Sequence, residues 1–138
     1  MIIKEKILIE VDSPCIFGYT YSYEDCIKMM LKINKEEISG DIYNNELLKE
    51  KPFYKIINPK MFVDKNEDGE PLYLIADVDF DDKQYTKEEL NKFNTLPWRL
   101  AIEGTGDTDK DTKNITNYEL KKVNIEFIPE QMYNELNS

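Results

Sequence analysis

The segment that most constrains the fold is Leu72–Phe80, in which apolar and acidic side chains alternate. Three aspartates stand at alternate positions, Asp77, Asp79 and Asp81, and the residues between Ala76 and Phe80 are otherwise apolar. A period of two is typical of a β-strand with one buried and one exposed face. The Asp-Gly pair at 68–69 supplies the positive φ of a tight turn. The pattern therefore predicts a hairpin that joins this strand to an earlier one at 61–63.

Other segments predict further strands and two or three helices. The N-terminal stretch alternates, and we expect Ile7, Ile9 and Val11 to face the core. Helices are expected after Ser22 and after Thr86, where the first residues match capping boxes, and a short helix is expected from Pro129. Further strands are expected at 53–57, 98–102 and 115–128.

This order of elements predicts one α+β domain over residues 1–138. We expect a mainly antiparallel sheet of about five strands, with two or three helices on one face.

Composition narrows the classes of function. The chain of 138 residues has no histidine and a single arginine, Arg99, and its 28 acidic residues against 18 basic ones give a net charge of −10. Without imidazole the usual general base and zinc ligand are missing, and a strongly acidic chain repels nucleic acid and anionic lipid. We therefore expect no enzyme, no cofactor, no direct nucleic-acid binding and no membrane association. Two cysteines without a secretion signal favour the cytoplasm of a bacterial or phage-infected cell.

Two groups of aspartates are the candidate binding residues. The first is Asp77, Asp79, Asp81 and Asp82, and the second is Asp107, Asp109 and Asp111 in a predicted loop at 104–114. Such carboxylates could dock a basic partner, hold Mg²⁺ or Ca²⁺, or form a solvated strand edge that discourages aggregation. The segment 64–69 begins like a calcium loop, but Ile75 stands where the closing glutamate should be, so we assign it to the hairpin turn.

Aromatic residues supply a second set of candidates. Tyr19, Tyr21 and Tyr23 would give rigid contact area with polar tips, which suits interface anchors, although alternating aromatics also line buried strands. Trp98 and Arg99 could stack on and clamp a nucleotide-like ligand, or could be a core residue beside an exposed charge.

These observations favour a small acidic protein that binds and neutralises a basic protein partner, such as a nuclease or toxin. Immunity proteins and phage-encoded inhibitors of host defence act in this way, because charge complementarity speeds association and sets specificity. The alternative is a small-molecule or nucleotide-binding protein that uses Trp98 and Arg99. A hydrolase dependent on a divalent metal at Asp77 and Asp79 is the third hypothesis.

Overall fold

A computed structural model describes residues 1–15 and 18–129. Phe17 lies outside the described residues. So does the predicted helix from Pro129, of which only Pro129 itself is described. The described part contains five long strands, two strands of two residues each, two α-helices and one turn of 3-10 helix. The α+β class is therefore confirmed.

The strands form two sheets rather than one. The strands are β1 Ile2–Glu10, β2 Thr20–Tyr21, β3 Ile42–Tyr43, β4 Tyr54–Val63, β5 Leu72–Phe80, β6 Trp98–Thr108 and β7 Asn114–Phe127. The first sheet has the order β1-β5-β4 and is antiparallel, and in the second sheet β7 pairs antiparallel with β6 and parallel with the short strands β2 and β3.

Both predicted helix starts are confirmed. Helix α1, Tyr23–Lys35, begins after Ser22, whose hydroxyl accepts a hydrogen bond from the Asp25 N–H. Helix α2, Lys87–Thr95, begins after Thr86 with a complete capping box. In each case a side-chain oxygen pairs with one of the backbone N–H groups that the first turn of a helix leaves without a partner.

One hydrophobic core joins these elements. The inner faces of both sheets contribute to it, and α1 packs against β4 of the first sheet and β7 of the second through Cys26, Met29 and Ile33. Helix α2 adds Phe93, whose ring lies 4.2 Å from that of Phe80. Helix α1 therefore closes one side of the molecule, and on the other side β1 and β6 are neighbours that do not pair as strands in the described residues.

The prediction for the inner face of β1 is confirmed for Val11, which is buried, but was wrong for Ile7. Leu8 is buried, while Ile7 is 50% exposed. The pairing of β1 with β5 shifts register twice, once between Ile3 and Lys6 and again between Ile7 and Ile9. Each β-bulge adds one residue and so exchanges the two faces of the strand, which a simple alternation cannot anticipate.

Candidate functional site: an acidic end with two exposed tyrosines

Asp77 lies on the outer face of the central strand β5, where it holds two bulges in place. One carboxylate oxygen accepts a hydrogen bond from the backbone N–H of Glu5 and the other from the side-chain amide of Asn58, each at 3.0 Å. Glu5 and Asn58 are the bulge residues of β1 and β4, and both have positive φ, 58° and 52°. Both oxygens of Asp77 therefore serve the fold.

Electrostatics agree with this structural use. Partial burial raises the pKa of Asp77, but the hydrogen bonds from Asn58 and Glu5, together with the charges of Lys4 and Lys60, outweigh it and lower the pKa from its ordinary value. Lysines therefore flank this carboxylate on the strands at either side.

The other aspartates of the first group are also surrounded by positive charge or used locally. Asp79 lies opposite Lys55 of β4. Asp81 caps the 3-10 helix Asp82–Gln84 through the N–H of Lys83, and Asp82 pairs with the amino group of Met1. The first group therefore does not form an unbroken negative ridge.

Asp81 and Asp82 lie at the opposite end of the molecule from the second predicted group, while Asp77 lies midway along β5. Phe80, at the end of β5, packs 6.2 Å from Trp98 at the start of β6, measured between ring centroids. From Trp98, β6 runs for 11 residues to Thr108. At about 3.3 Å per residue, Asp81 and Asp82 are about 30 Å from the second group.

The second group instead shares its end of the molecule with the β4–β5 turn and with residues 12–15 and 18–21, which we call the tyrosine loop. A series of backbone hydrogen bonds connects these segments: Val11 N–H to Leu72 O at 2.8 Å, Asp12 N–H to Tyr21 O at 2.9 Å and Thr20 N–H to Lys113 O at 3.0 Å. Strands β5, β1, β2 and β7 therefore meet here, and both long hairpins turn at this end.

We call this region the acidic end. It holds nine carboxylates and three lysines, which accounts for six units of the net charge of −10. The carboxylates are Glu10, Asp12, Asp64, Glu67, Asp68, Glu70, Asp107, Asp109 and Asp111, and the lysines are Lys65, Lys110 and Lys113. None of the nine ion pairs between described residues involves one of these carboxylates.

Hydrogen bonds from neutral groups hold the turns of the acidic end without cancelling their charge. Asp109 accepts from the backbone N–H groups of Thr112 and Asp111, at 3.1 Å and 2.9 Å, and these bonds lower its pKa. Glu67 accepts from the hydroxyl of Tyr73 at 2.8 Å. These bonds fix the carboxylates of Asp109 and Glu67 in position, and the lowered pKa keeps Asp109 ionised at neutral pH.

Two of the three predicted tyrosines are exposed at the acidic end. Tyr23 is 48% and Tyr19 is 38% exposed. The first turn of α1 is tied to the tyrosine loop because the Tyr23 N–H donates to Asp12 at 3.2 Å. Tyr21 is half-buried, and its ring packs edge-on against Tyr118 at 5.0 Å. Tyr21 is thus mainly a packing residue, while the other two offer surface.

Trp98 is a core residue, as one of its two predicted alternatives had it, and its ring is not available to stack on a ligand. Trp98 is only 6% exposed, and its indole N–H donates to the carbonyl of Phe93 at 2.7 Å inside the core. The ammonium group of Lys6 lies over its ring, 4.0 Å from the ring centroid. Arg99 is exposed but bonded to Glu126 at 3.0 Å, so the pair does not form a nucleotide clamp.

The candidate metal ligands and the buried thiol of Cys26 lie within the described part of the chain. Among the described residues no three Cys, Asp or Glu side chains are grouped closely enough to hold a metal ion. Burial raises the pKa of the Cys26 thiol to about 12, and Asp12 and Asp25 add to the effect. That thiol therefore stays protonated at neutral pH and is a poor nucleophile.

The described residues include no helix with the length and apolar character needed to cross a membrane. Comparison of the chain with protein-family models, curated proteins and solved structures found no match.

Sequence reasoning found the aspartates at 107–111 and the tyrosines but missed the acidic turn beside them. The turn at 64–70 carries four carboxylates and one lysine. A count of net charge by segment would therefore have identified it as strongly acidic. No local pattern shows that the two hairpins turn at the same end, because that depends on pairings between residues far apart in the chain.

Proposed function

We propose that this protein binds a basic surface of a protein partner through its acidic end. The unpaired charge carries the proposal: nine carboxylates and three lysines share one end of the molecule with two exposed tyrosines, and none of these carboxylates belongs to an ion pair among described residues. Like charges held together by turns cost stability, so a partner that supplies lysine and arginine would gain from meeting them.

The tyrosines would supply the contacts that long-range charge cannot. An ion pair at the exposed rim of an interface contributes mainly to the rate of association. A tyrosine buried in the interface contributes to the lifetime of the complex. Tyr19 and Tyr23 lie among the carboxylates, so an arriving cationic surface would cover them. Neutralisation of a basic nuclease or toxin in the cytoplasm is the biological role that suits such a protein.

Two variants with equal changes in charge test the proposal. The acidic-end variant carries Asp68→Asn, Glu70→Gln and Asp111→Asn, three exposed positions. The control variant carries Glu36→Gln, Glu50→Gln and Glu88→Gln, which are also exposed but lie at the other end of the sheets. Both variants gain three units of charge, so a difference between them reports position and not net charge.

Affinity capture from lysate of the native host, followed by identification of bound proteins, gives the readout. We expect the wild-type chain and the control variant to retain the same basic protein, and the acidic-end variant to lose it. For the purified pair, removing three charges should weaken binding by about tenfold or more at low salt. Equal retention by all three proteins would refute the proposal.

A further inference from the structure

A cleft of about 410 Å³ lies between β1 and β6 and reaches Glu10 of the acidic end. Its walls are residues 7–10 of β1 and 99–102 of β6, and Pro14, Cys15 and Tyr21 lie at one end. Its volume lies within the range of ligand-binding clefts. The name β1–β6 cleft is used below for this space.

Both walls are strand edges. In the described structure β1 pairs only with β5, and β6 pairs only with β7, so each presents its other edge to the cleft. The Pro97 carbonyl accepts from the Ile128 N–H, on the β7 side. Because backbone groups alternate along an antiparallel pair, the N–H and C=O groups of Trp98, Leu100 and Ile102 point away from β7.

Lys6 occupies one end of this free edge. Its ammonium group donates to the carbonyl of Trp98 at 3.3 Å. The free backbone groups of β6 therefore begin at Leu100 and continue at Ile102. An unpaired edge of this kind is a template for an added strand, and the neighbouring apolar wall of Ile7 and Ile9 would cover alternate side chains of that strand.

Charge indicates what kind of strand fits. The lining carries two carboxylates, Glu10 and Glu126, and one arginine, Arg99, which is already bonded to Glu126. Glu10 belongs to the acidic end, so the cleft and the acidic end form one continuous surface. Apolar side chains would suit the walls, and a lysine or arginine would suit the end near Glu10 and Asp12.

We propose that an extended segment of the basic partner, with alternating apolar and cationic residues, adds as a strand to the β6 edge inside the β1–β6 cleft. The proposal rests on the function proposed above, which it deepens by naming how the partner is held. Backbone hydrogen bonds to Leu100 and Ile102 would fix the segment, and the acidic end would select its charge.

A pair of synthetic peptides tests the backbone contribution on the wild-type protein. The first is a fluorescent peptide of about eight alternating lysine and valine residues, a length that suits strand addition. Its twin has every peptide nitrogen methylated, so it keeps all side chains and charges but can donate no backbone hydrogen bond. We expect the twin to bind about tenfold more weakly or worse. Equal affinity would mean attraction by charge alone and would overturn the proposal.

A pair of protein variants tests the place of binding. Ala101→Trp fills the cleft from its β6 wall, and Thr105→Trp adds the same side chain to an exposed position of β6 outside the lining. We expect Ala101→Trp to weaken binding of the lysine–valine peptide by about tenfold. Thr105→Trp should leave the affinity for this peptide nearly unchanged. Thermal unfolding of both variants checks that each is folded; if Ala101→Trp does not fold, the peptide pair decides.

Other occupants give different results. If the chain alone forms dimers in sedimentation experiments and Ala101→Trp abolishes them, the cleft holds a second copy and the proposal is wrong.

The two proposals also fail separately. Loss of the captured partner in the acidic-end variant but not in Ala101→Trp, with equal binding of both peptides, would reject the cleft and keep the acidic end. Retention of the partner by the acidic-end variant would reject the function whatever the peptides do.

Discussion

At the scale of single residues, Asp77 shows how one carboxylate can appear functional in sequence and be structural in the fold. It stands in an acidic, alternating segment, yet it binds bulge residues of both neighbouring strands. Non-glycine residues with positive φ are unfavourable unless the surroundings hold them. Glu5 and Asn58 are in that conformation, and Asp77 provides a partner for each.

We predict that Asp77→Ala destabilises the protein by about 1–3 kcal/mol, because it removes two hydrogen bonds and frees both bulges. Asp79→Ala is the matched control on the same strand and face. No hydrogen bond of the Asp79 side chain is found among the described residues, so its removal should change the free energy of unfolding by less than about 0.5 kcal/mol. Urea unfolding followed by Trp98 fluorescence measures both, and similar costs for the two variants would contradict the assigned role.

The pH dependence of stability gives a second prediction for Asp77. Its pKa is lowered in the folded state, so its contribution is present above the unfolded value of about 3.9 and is lost as pH falls through the lowered folded value. The difference in unfolding free energy between the wild type and Asp77→Asn should therefore shrink in acid. Unfolding curves at neutral pH and at pH values below about 4 measure this; a difference independent of pH would show that the charge of Asp77 is not involved.

At the scale of elements, helix α2 depends on the cap at its start. The hydroxyl of Thr86 accepts from the Glu89 N–H at 3.1 Å, and the Glu89 carboxylate accepts from the Thr86 N–H at 2.8 Å. Glu89 also bonds Lys51 at 2.8 Å, which links the helix to the segment before β4. The cap thereby positions Phe93 in the aromatic cluster of the core.

We predict that Thr86→Ala lowers the free energy of unfolding by about 1 kcal/mol, because one N–H of the first turn loses its partner. Thr86→Ser keeps the hydroxyl and should recover most of that loss. Thermal and urea unfolding of the two variants give the comparison. If serine fails to rescue, then the methyl group rather than the hydroxyl is responsible.

The β6–β7 hairpin, which carries Asp107–Asp111 to the acidic end, depends on close approach at Gly104. A Cβ atom at this position would lie 2.1 Å from the carbonyl oxygen of Glu119 and 2.8 Å from the Tyr118 hydroxyl. The backbone oxygen cannot move without disturbing the strand pairing. Only glycine therefore fits where the register of this hairpin shifts.

We predict that Gly104→Ala costs about 2 kcal/mol or more, since overpacking against backbone is not relieved by a rotamer change. The neighbouring Thr105→Ala, at an exposed position, is the control and should cost less than about 1 kcal/mol. Urea unfolding compares the variants, and a neutral Gly104→Ala would show that the hairpin can shift its register freely.

At the scale of the whole molecule, unpaired charge at the acidic end should make stability depend on salt. Repulsion among nine carboxylates weakens as ions screen it. We predict that the melting temperature rises with sodium chloride concentration, and that the acidic-end variant is more stable at low salt and responds less to salt. The control variant should keep most of the salt dependence of the melting temperature. Its substitutions lie near ion pairs such as Lys51–Glu89 and so leave the repulsion at the acidic end unchanged.

Differential scanning calorimetry at low and moderate salt checks this distribution of charge without any partner. Equal salt dependence of the two variants would indicate that the negative charge is spread evenly. In that case the proposed function would lose its physical basis even before a partner is found.

Much of this protein follows from local rules. The alternation around Asp77 predicted β5, the Asp-Gly pair predicted its hairpin, and Ser22 and Thr86 predicted the starts of both helices. These features depend on residues within a few positions of each other, where periodicity, turn chemistry and capping act directly. The acidic composition likewise sets the net charge of −10.

Only the tertiary structure decided where that charge lies. The bulges at Glu5 and Asn58 turned Asp77 into a structural anchor, and the division into two sheets separated Asp81 and Asp82 from Asp107–Asp111 by the length of β6. The same long-range pairings brought the turn at 64–70 beside the tyrosine loop and left the edges of β1 and β6 facing each other. Such placements depend on contacts between residues far apart in sequence, and no local pattern encodes the register in which distant strands meet.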